Sequence, residues 1–193
     1  SGVELILRQA DEQQVVIETG EYLMTDISVG VQDGQLIIRD NNTCNLVREY
    51  GLTKAFVSAP NITEIRNASA ETVSSDGLLN YPELKLTSEN FNQEQDGYTN
   101  GDFVLQLAVE SLNIRANNLS NFFLSGTAAK GNFNVFSGDV RIEAQELIIQ
   151  DLQLYHRGTN QMIVNPQQSI RGELLSGGDV ISLTRPPLVE VTE

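Results

Sequence analysis

Polar and apolar residues alternate along this chain over short distances, and the alternation is broken by Gly, Asn and Asp. Residues 3–7 alternate around Glu4, 14–18 carry Val15-Val16-Ile17, 27–31 alternate again, and 35–39 carry Leu36-Ile37-Ile38. Runs of this length and composition predict strands. Asp33-Gly34 sits between the last two, and a two-residue hairpin turn of type I′ needs positive φ at both positions, which Asp-Gly tolerates. Residues 1–54 therefore read as an antiparallel β meander that caps the rest of the chain. A helix would need apolar residues at i, i+3, i+4 and i+7 over ten or more positions. Residues 110–123 come nearest, but Asn113, Asn117, Asn118 and Asn121 crowd them, and Asn competes with a helical backbone.

From residue 55 the pattern becomes periodic. One series of apolar runs holds Ile62/Ile65, Leu84/Leu86, Leu112/Ile114, Phe133/Val135, Leu152/Leu154 and Ile170. A second interleaves with it: Val73, Phe103/Leu105, Phe122/Leu124, Val140/Ile142, Met162/Val164 and Val180/Leu183. Successive members lie about 20 residues apart, a period that marks solenoids. The turns recur too: Asn100-Gly101-Asp102, Ser137-Gly138-Asp139 and Gly177-Gly178-Asp179 each precede an apolar run. A glycine at a fixed place in each copy points to positive φ or close backbone approach. One copy cannot bury its own apolar face, whereas stacked copies share a core. The expected architecture is all-β: β-solenoid-like repeats of roughly 20 residues over 55–185, after the N-terminal meander (1–54) and before a tail (186–193). Pro186-Pro187 stops the last strand, since proline donates nothing to a ladder, so both ends are expected to be capped against fibre growth. Residues 89–99 interrupt the period, and insertions in solenoids map to one face, often the binding face.

Composition narrows the function. The 193 residues carry a net charge of -14, and the three lysines (Lys54, Lys85, Lys130) are scattered. Nucleic acid and anionic lipid need clustered cations, so neither is an expected partner. No apolar run approaches the ~20 residues of a membrane-spanning helix. The opening Ser1-Gly2 reads as a scar left where a leader was removed.

Catalytic candidates are few. His156 is the single histidine, and in Leu154-Tyr155-His156-Arg157-Gly158 it reads as a surface or turn residue. Cys44 is the single cysteine, in a polar loop without a nucleophile signature. One His and one Cys are too few ligands for a zinc or iron–sulfur site, and the acidic residues lack the spacing of an EF-hand. No metal, cofactor or catalytic set is expected. Asp102, Asp139 and Asp179 would form a column of carboxylates if the repeats stack in register; the alternative is that each serves its own turn amides. Phe91 and Tyr98 in the insertion offer rings that could stack on sugars, or that pin the insertion to the stack. Arg157 and Arg171 read as surface charges. Sequons begin at Asn41, Asn61, Asn67 and Asn118, which matter only in a eukaryotic secretory pathway.

The order of segments resembles the head GIN domain family, described as auto-transporter adhesins of Bacteroidetes. Val31-Gln32-Asp33-Gly34-Gln35-Leu36-Ile37-Ile38 is similar to the family's opening, Ala59-Pro60-Asn61-Ile62 through Ile65 to its lead-in to the repeats, and the turns at 137–139 and 177–179 to its Gly-Ser-Gly-Asp pattern. The chain departs from that pattern at 118–121 and 91–98. The resemblance implies a right-handed β-helix-like repeat domain outside the cytoplasm and supplies no catalytic residues. With the repetitive face and the lack of a catalytic set, it leads to a non-enzymatic cell-envelope or secreted module that binds protein or glycan by its surface or serves as a structural spacer. A polysaccharide-active β-helix enzyme, lyase or glycoside hydrolase, is the alternative.

Overall fold

The computed structural model describes residues 2–41, 53–91 and 99–193. They form an all-β protein with one short 3-10 turn, Met24–Asp26. The strands are β1 (Glu4–Gln9), β2 (Gln14–Glu18), β3 (Ile27–Gln32), β4 (Gln35–Asp40), β5 (Lys54–Ala59), β6 (Glu64–Arg66), β7 (Val73–Ser88), β8 (Phe103–Ala116), β9 (Asn121–Val135), β10 (Arg141–His156), β11 (Met162–Leu174), β12 (Val180–Ser182) and β13 (Leu188–Thr192).

All but β3 and β4 join one mostly parallel sheet, in the order β12-β11-β10-β9-β8-β7-β1-β5-β2, with β13 on β11 and β6 on β7. Neighbouring strands keep the period seen in the sequence. Phe103 pairs with Phe122, nineteen residues on, and Leu112 with Gly131; Phe122 pairs with Ile142 and Gly131 with Leu152; Leu152 pairs with Ile170.

Burial follows from the alternation. Phe103, Leu105, Leu107 and Val109 point inward on β8, then the phase slips by one and Leu112, Ile114 and Ala116 point inward. The same slip falls between Tyr81 and Leu84 on β7, Ala128 and Gly131 on β9, and Ile149 and Leu152 on β10. These positions are in register. Two consecutive outward residues at one column bend every strand at the same place, and the residues on both sides of the bend belong to one core cluster.

The N-terminal region departs from the expected meander. The hairpin β3–β4 is antiparallel, as Asp33-Gly34 predicts, with φ of 50 and 78° at those two residues. Leu36 and Ile38 dock it on the core. But β1 enters the main sheet, parallel to both β5 and β7, and β2 pairs antiparallel with β5 at the sheet edge. Parallel partners fifty and more residues away leave no local signature, so the strands are legible in the sequence and their pairing is not. Residues 188–192, expected as a tail, form β13 beyond Pro186-Pro187.

Two buried hydroxyls find partners at the base of the insertion. The Ser88 and Ser120 hydroxyls both donate to the Thr99 carbonyl, at 3.1 and 3.0 Å, and approach each other at 2.5 Å. Burying such hydroxyls without partners would cost about 1–3 kcal/mol each.

Candidate functional site

The outward face of the first half of the long strands carries a cleft of about 360 Å³, lined by Ser75, Val104, Leu105, Gln106, Phe123, Leu124, Ser125, Glu143, Gln145 and Glu146. Its origin is a mismatch in strand length. Between the aligned inward columns, β7 takes eleven steps (Val73 to Leu84), β8 nine (Phe103 to Leu112), β9 nine (Phe122 to Gly131) and β10 ten (Ile142 to Leu152). The surplus residues of β7 bulge between Ser74 and Leu78, and that of β10 between Glu143 and Glu146. A bulge pushes its strand out of the sheet, so β7 and β10 form the walls and the unbulged pair β8 and β9 the floor. Ser75 Oγ accepts the Gln106 backbone N–H at 2.9 Å and closes the β7 wall.

The floor is apolar and the rim is polar. Val104, 46% exposed, pairs with Phe123, and Phe123 pairs with Glu143. The column continues through Ile163 to Ile181, so an apolar stripe crosses this face with Glu143 set into it. The face on the other half of the strands is polar: Lys85, Asn113, Asn132, Gln153 and Arg171 stand in register there. No Lys or Arg lines the cleft; the nearby Arg141 guanidinium is paired with Glu143. Gln145 Oε1 is buried and has no hydrogen-bond partner.

The structure separates the residues that the turns suggested as a carboxylate column. Asp102 and Asp179 precede register partners Phe103 and Val180, but Asn121, Arg141 and Gln161 stand between them. Four rungs at about 4.8 Å put the two carboxylates roughly 19 Å apart. Asp139 lies two residues out of that column. Nor do the Asp102 and Asp139 side chains serve their own turns. Asp102 Oδ1 accepts from the Asn121 backbone N–H (2.9 Å) and side chain (2.8 Å), and Asp139 accepts from Thr159 Oγ1 (2.9 Å) and Asn160 Nδ2 (3.4 Å). Each ties one rung to the next.

Other candidates fall as follows. Phe91 meets Phe136 edge-on at 5.5 Å, Phe136 lies 5.9 Å from Tyr155, and the Arg115 guanidinium sits 4.7 Å over Phe136 and pairs with Glu89. That cluster fastens the start of the insertion to the sheet. Tyr98 and Cys44 lie outside the described residues. Arg157 is exposed, and Arg171 pairs with Glu190 at 2.9 Å. Asn67 is 3% exposed, its amide donating to the Glu71 carbonyl and accepting from Ser69, which leaves no room for a glycan. Among the described residues no group of three or more His, Cys, Asp or Glu could hold a metal ion, and no helix is long and apolar enough to cross a membrane. Sequence reading missed the cleft, although the spacings of eleven, nine, nine and ten steps between apolar columns were its signal.

A family model described as "Putative auto-transporter adhesin, head GIN domain" matches residues 1–186. The chain belongs to this family. Crystal structures with a similar fold include the following three. A "putative adhesin" from Bacteroides fragilis superposes with a TM-score of 0.86 at 19% identity, over 99% of this chain and 84% of that one. A "putative adhesin" from Parabacteroides merdae gives 0.56 at 12% identity, over 99% and 88%. A "putative lipid binding protein" from Parabacteroides distasonis gives 0.59 at 12%, over 100% and 90%. No curated protein matches the chain.

His156 corrects the surface reading: in this head GIN domain it is 1% exposed. Nε2 lies 2.9 Å from the Asn160 carbonyl, which fixes the proton on Nε2, and Nδ1 is buried without a partner. Protonation would place an N–H at Nδ1 with no acceptor, and burial accordingly holds the pKa below its ordinary 6.5, against the Asn160 hydrogen bond that raises it. The unfolded chain then binds the proton more tightly, so stability from this residue is complete above about pH 6.5 and falls as the pH drops toward the folded-state value. Urea midpoints measured from pH 8 to 5 should fall with an onset near 6.5 in the wild type, and that onset should be missing in His156→Gln.

Proposed function

We propose that this head GIN domain is a non-enzymatic recognition module of the cell envelope or the extracellular space, which holds protein or glycan against the face that carries the cleft. The observation that carries the reading is the contrast between the two faces: one presents Lys85, Asn113, Asn132, Gln153 and Arg171 in register, with Phe136 and Tyr155 engaged beside Phe91 and Arg115, and the other is crossed by an apolar stripe whose β8–β9 end holds the cleft. Exposed apolar surface rimmed by polar residues marks interaction sites. Family membership supports an adhesive role and a place outside the cytoplasm.

The reading includes a winding, a right-handed β-solenoid of one domain, with β2, the hairpin and the N-terminal turn capping one end. Fully straight, the fourteen residues of β8 would span about 46 Å. The link from Ala116 to Asn121 reaches about 17 Å at most, too short to carry the chain back to the start of a straight parallel neighbour. Bending each strand at the aligned column closes one coil per period, and parallel crossovers are right-handed in about 98% of cases. Repetition along such a stack multiplies weak contacts.

One observation favours the alternative of a polysaccharide-active enzyme: Glu143 and Glu146 both line the cleft. A glycosidase sets its two carboxyl groups on opposite sides of the scissile bond, whereas these share the β10 wall, and Glu143 is paired with Arg141. The two readings part on turnover. Immobilised wild type should retain a glycan or an envelope protein from an array of purified ligands, and incubation with neutral and acidic polysaccharides should release nothing. New reducing ends or unsaturated products would overturn the non-enzymatic reading.

A further inference from the structure

The cleft has a chemistry more specific than a sticky face. Its floor offers one aromatic ring, Phe123, beside Val104. Phe123 makes no ring or cation contact among the described residues, in contrast to Phe136, which is covered by Phe91 and Arg115. Around that floor stand hydrogen-bonding groups: the carboxylates of Glu143 and Glu146, the hydroxyls of Ser75 and Ser125, and the side chains of Gln106 and Gln145. A complementary ligand has an apolar face to lie on a ring and several hydroxyls to donate. The volume of about 360 Å³ falls at the small end of ligand sites, which run from about 300 Å³ upward.

Charge narrows the class. With no cation lining the cleft, two carboxylates in it and a net charge of -14 around it, an anionic sugar or a phosphate is repelled. A cation would be drawn to Glu146 but would leave the amides and serines unused.

Gln145 supplies the independent observation. Its Oε1 is an acceptor buried in the cleft wall with nothing to accept from, a state that buried polar groups avoid. The terminal torsion of a glutamine is broad, so the amide can turn its oxygen toward a hydroxyl entering the cleft, and that donor recovers the missing bond.

We infer that the cleft between the bulges of β7 and β10 binds a neutral pyranose unit, with Phe123 beneath the ring and Gln145, Glu143 and Glu146 accepting from its hydroxyls. The inference rests on the recognition reading above and names its ligand class.

Proton–nitrogen correlation spectra of the full chain, titrated with maltose, cellobiose, mannobiose and galactobiose, test it. Oligogalacturonate serves as the anionic probe and trilysine as the cationic one. At least one neutral disaccharide should give saturable shifts confined to amides 104–106, 123–125 and 143–146, with a dissociation constant of about millimolar order. Phe123→Ala should weaken this by about tenfold or more, as loss of a central anchor does, while Phe136→Ala leaves it unchanged. Gln145→Leu should weaken binding and yet melt no lower than wild type, because it removes an unpartnered buried acceptor; a residue with only a structural role would not divide the two readouts in this way. Three results would overturn the proposal: no disaccharide moves these amides, folded Phe123→Ala binds as tightly as wild type, or oligogalacturonate moves them instead. Shifts from trilysine alone would overturn the sugar and keep the recognition face. Sugar shifts at Phe136 and Tyr155 would overturn the site and keep the module. Cleavage of the probes would overturn both readings together.

Discussion

Phe122→Ala should lower the stability of this protein by about 3–5 kcal/mol, which for a chain of this length moves the melting temperature by roughly 6–20 °C. Phe122 and Phe103 are both 0% exposed, and their rings stack 4.7 Å apart with an interplanar angle of 4°. They are register partners on adjacent strands, so the stack repeats the rung spacing of the sheet itself. Truncation removes the buried ring from the core and also the parallel stacking contact, which for an offset stack is worth about 0.5–1.5 kcal/mol beyond area. The surrounding rungs cannot collapse into the gap, because backbone hydrogen bonds above and below hold them at fixed spacing. Urea unfolding followed by far-ultraviolet circular dichroism checks the size. A loss under about 1 kcal/mol would mean that this column is not the core that the register makes it.

Gly126→Ala should be at least as damaging, at about 3 kcal/mol or more, although it adds only one methyl group. Gly126 has φ of 105°, a region that side chains with a Cβ rarely adopt. It pairs with Leu107 on one side and Leu147 on the other. A Cβ built there would fall inside the van der Waals envelope of the Leu107 carbonyl oxygen, which is backbone and cannot swing aside. Relief requires widening a rung and losing ladder bonds on β8 and β9, the floor of the cleft. Gly177→Ala is the matched control, since a methyl there meets nothing within 4 Å; its urea midpoint should stay within about 0.5 kcal/mol of wild type. Equal midpoints for the two variants would contradict the geometry at Gly126.

The sequence carries the fold to the level of strands, period and turns, because those are written in local residues. The Asp33-Gly34 hairpin, the spacing that pairs Phe103 with Phe122, and the slip of phase near Leu84, Leu112 and Leu152 are all visible in it. Two features mislead, for different reasons. His156 reads as a surface residue by its chemistry, although Leu152, Leu154 and His156 share one parity and the alternation alone points the ring inward. There the polar name outweighs the pattern. The column of Asp102, Asp139 and Asp179 comes from aligning turns by motif, whereas the sheet aligns residues by counting back from the apolar positions, which moves Asp139 out of line. Long-range pairing is not legible at all: β1 lies between β5 and β7, and nothing in Glu4–Gln9 names either partner. The cleft is legible only as arithmetic, since a bulge is a surplus residue between two columns and alters no motif.

The central claim is that recognition belongs to the face with the apolar stripe. A triple variant of that face, Val104→Ser, Phe123→Ser and Ile163→Ser, set against a triple variant of the polar face, Asn113→Ala, Asn132→Ala and Gln153→Ala, tests it most directly, with retention of wild-type ligands on the glycan and envelope-protein array as the readout and melting temperature as the control for folding. Loss of about tenfold or more in retention by the first variant, with the second retaining ligand as wild type does, is the predicted result. Loss by the polar-face variant alone, or equal retention by both folded variants, would contradict the account.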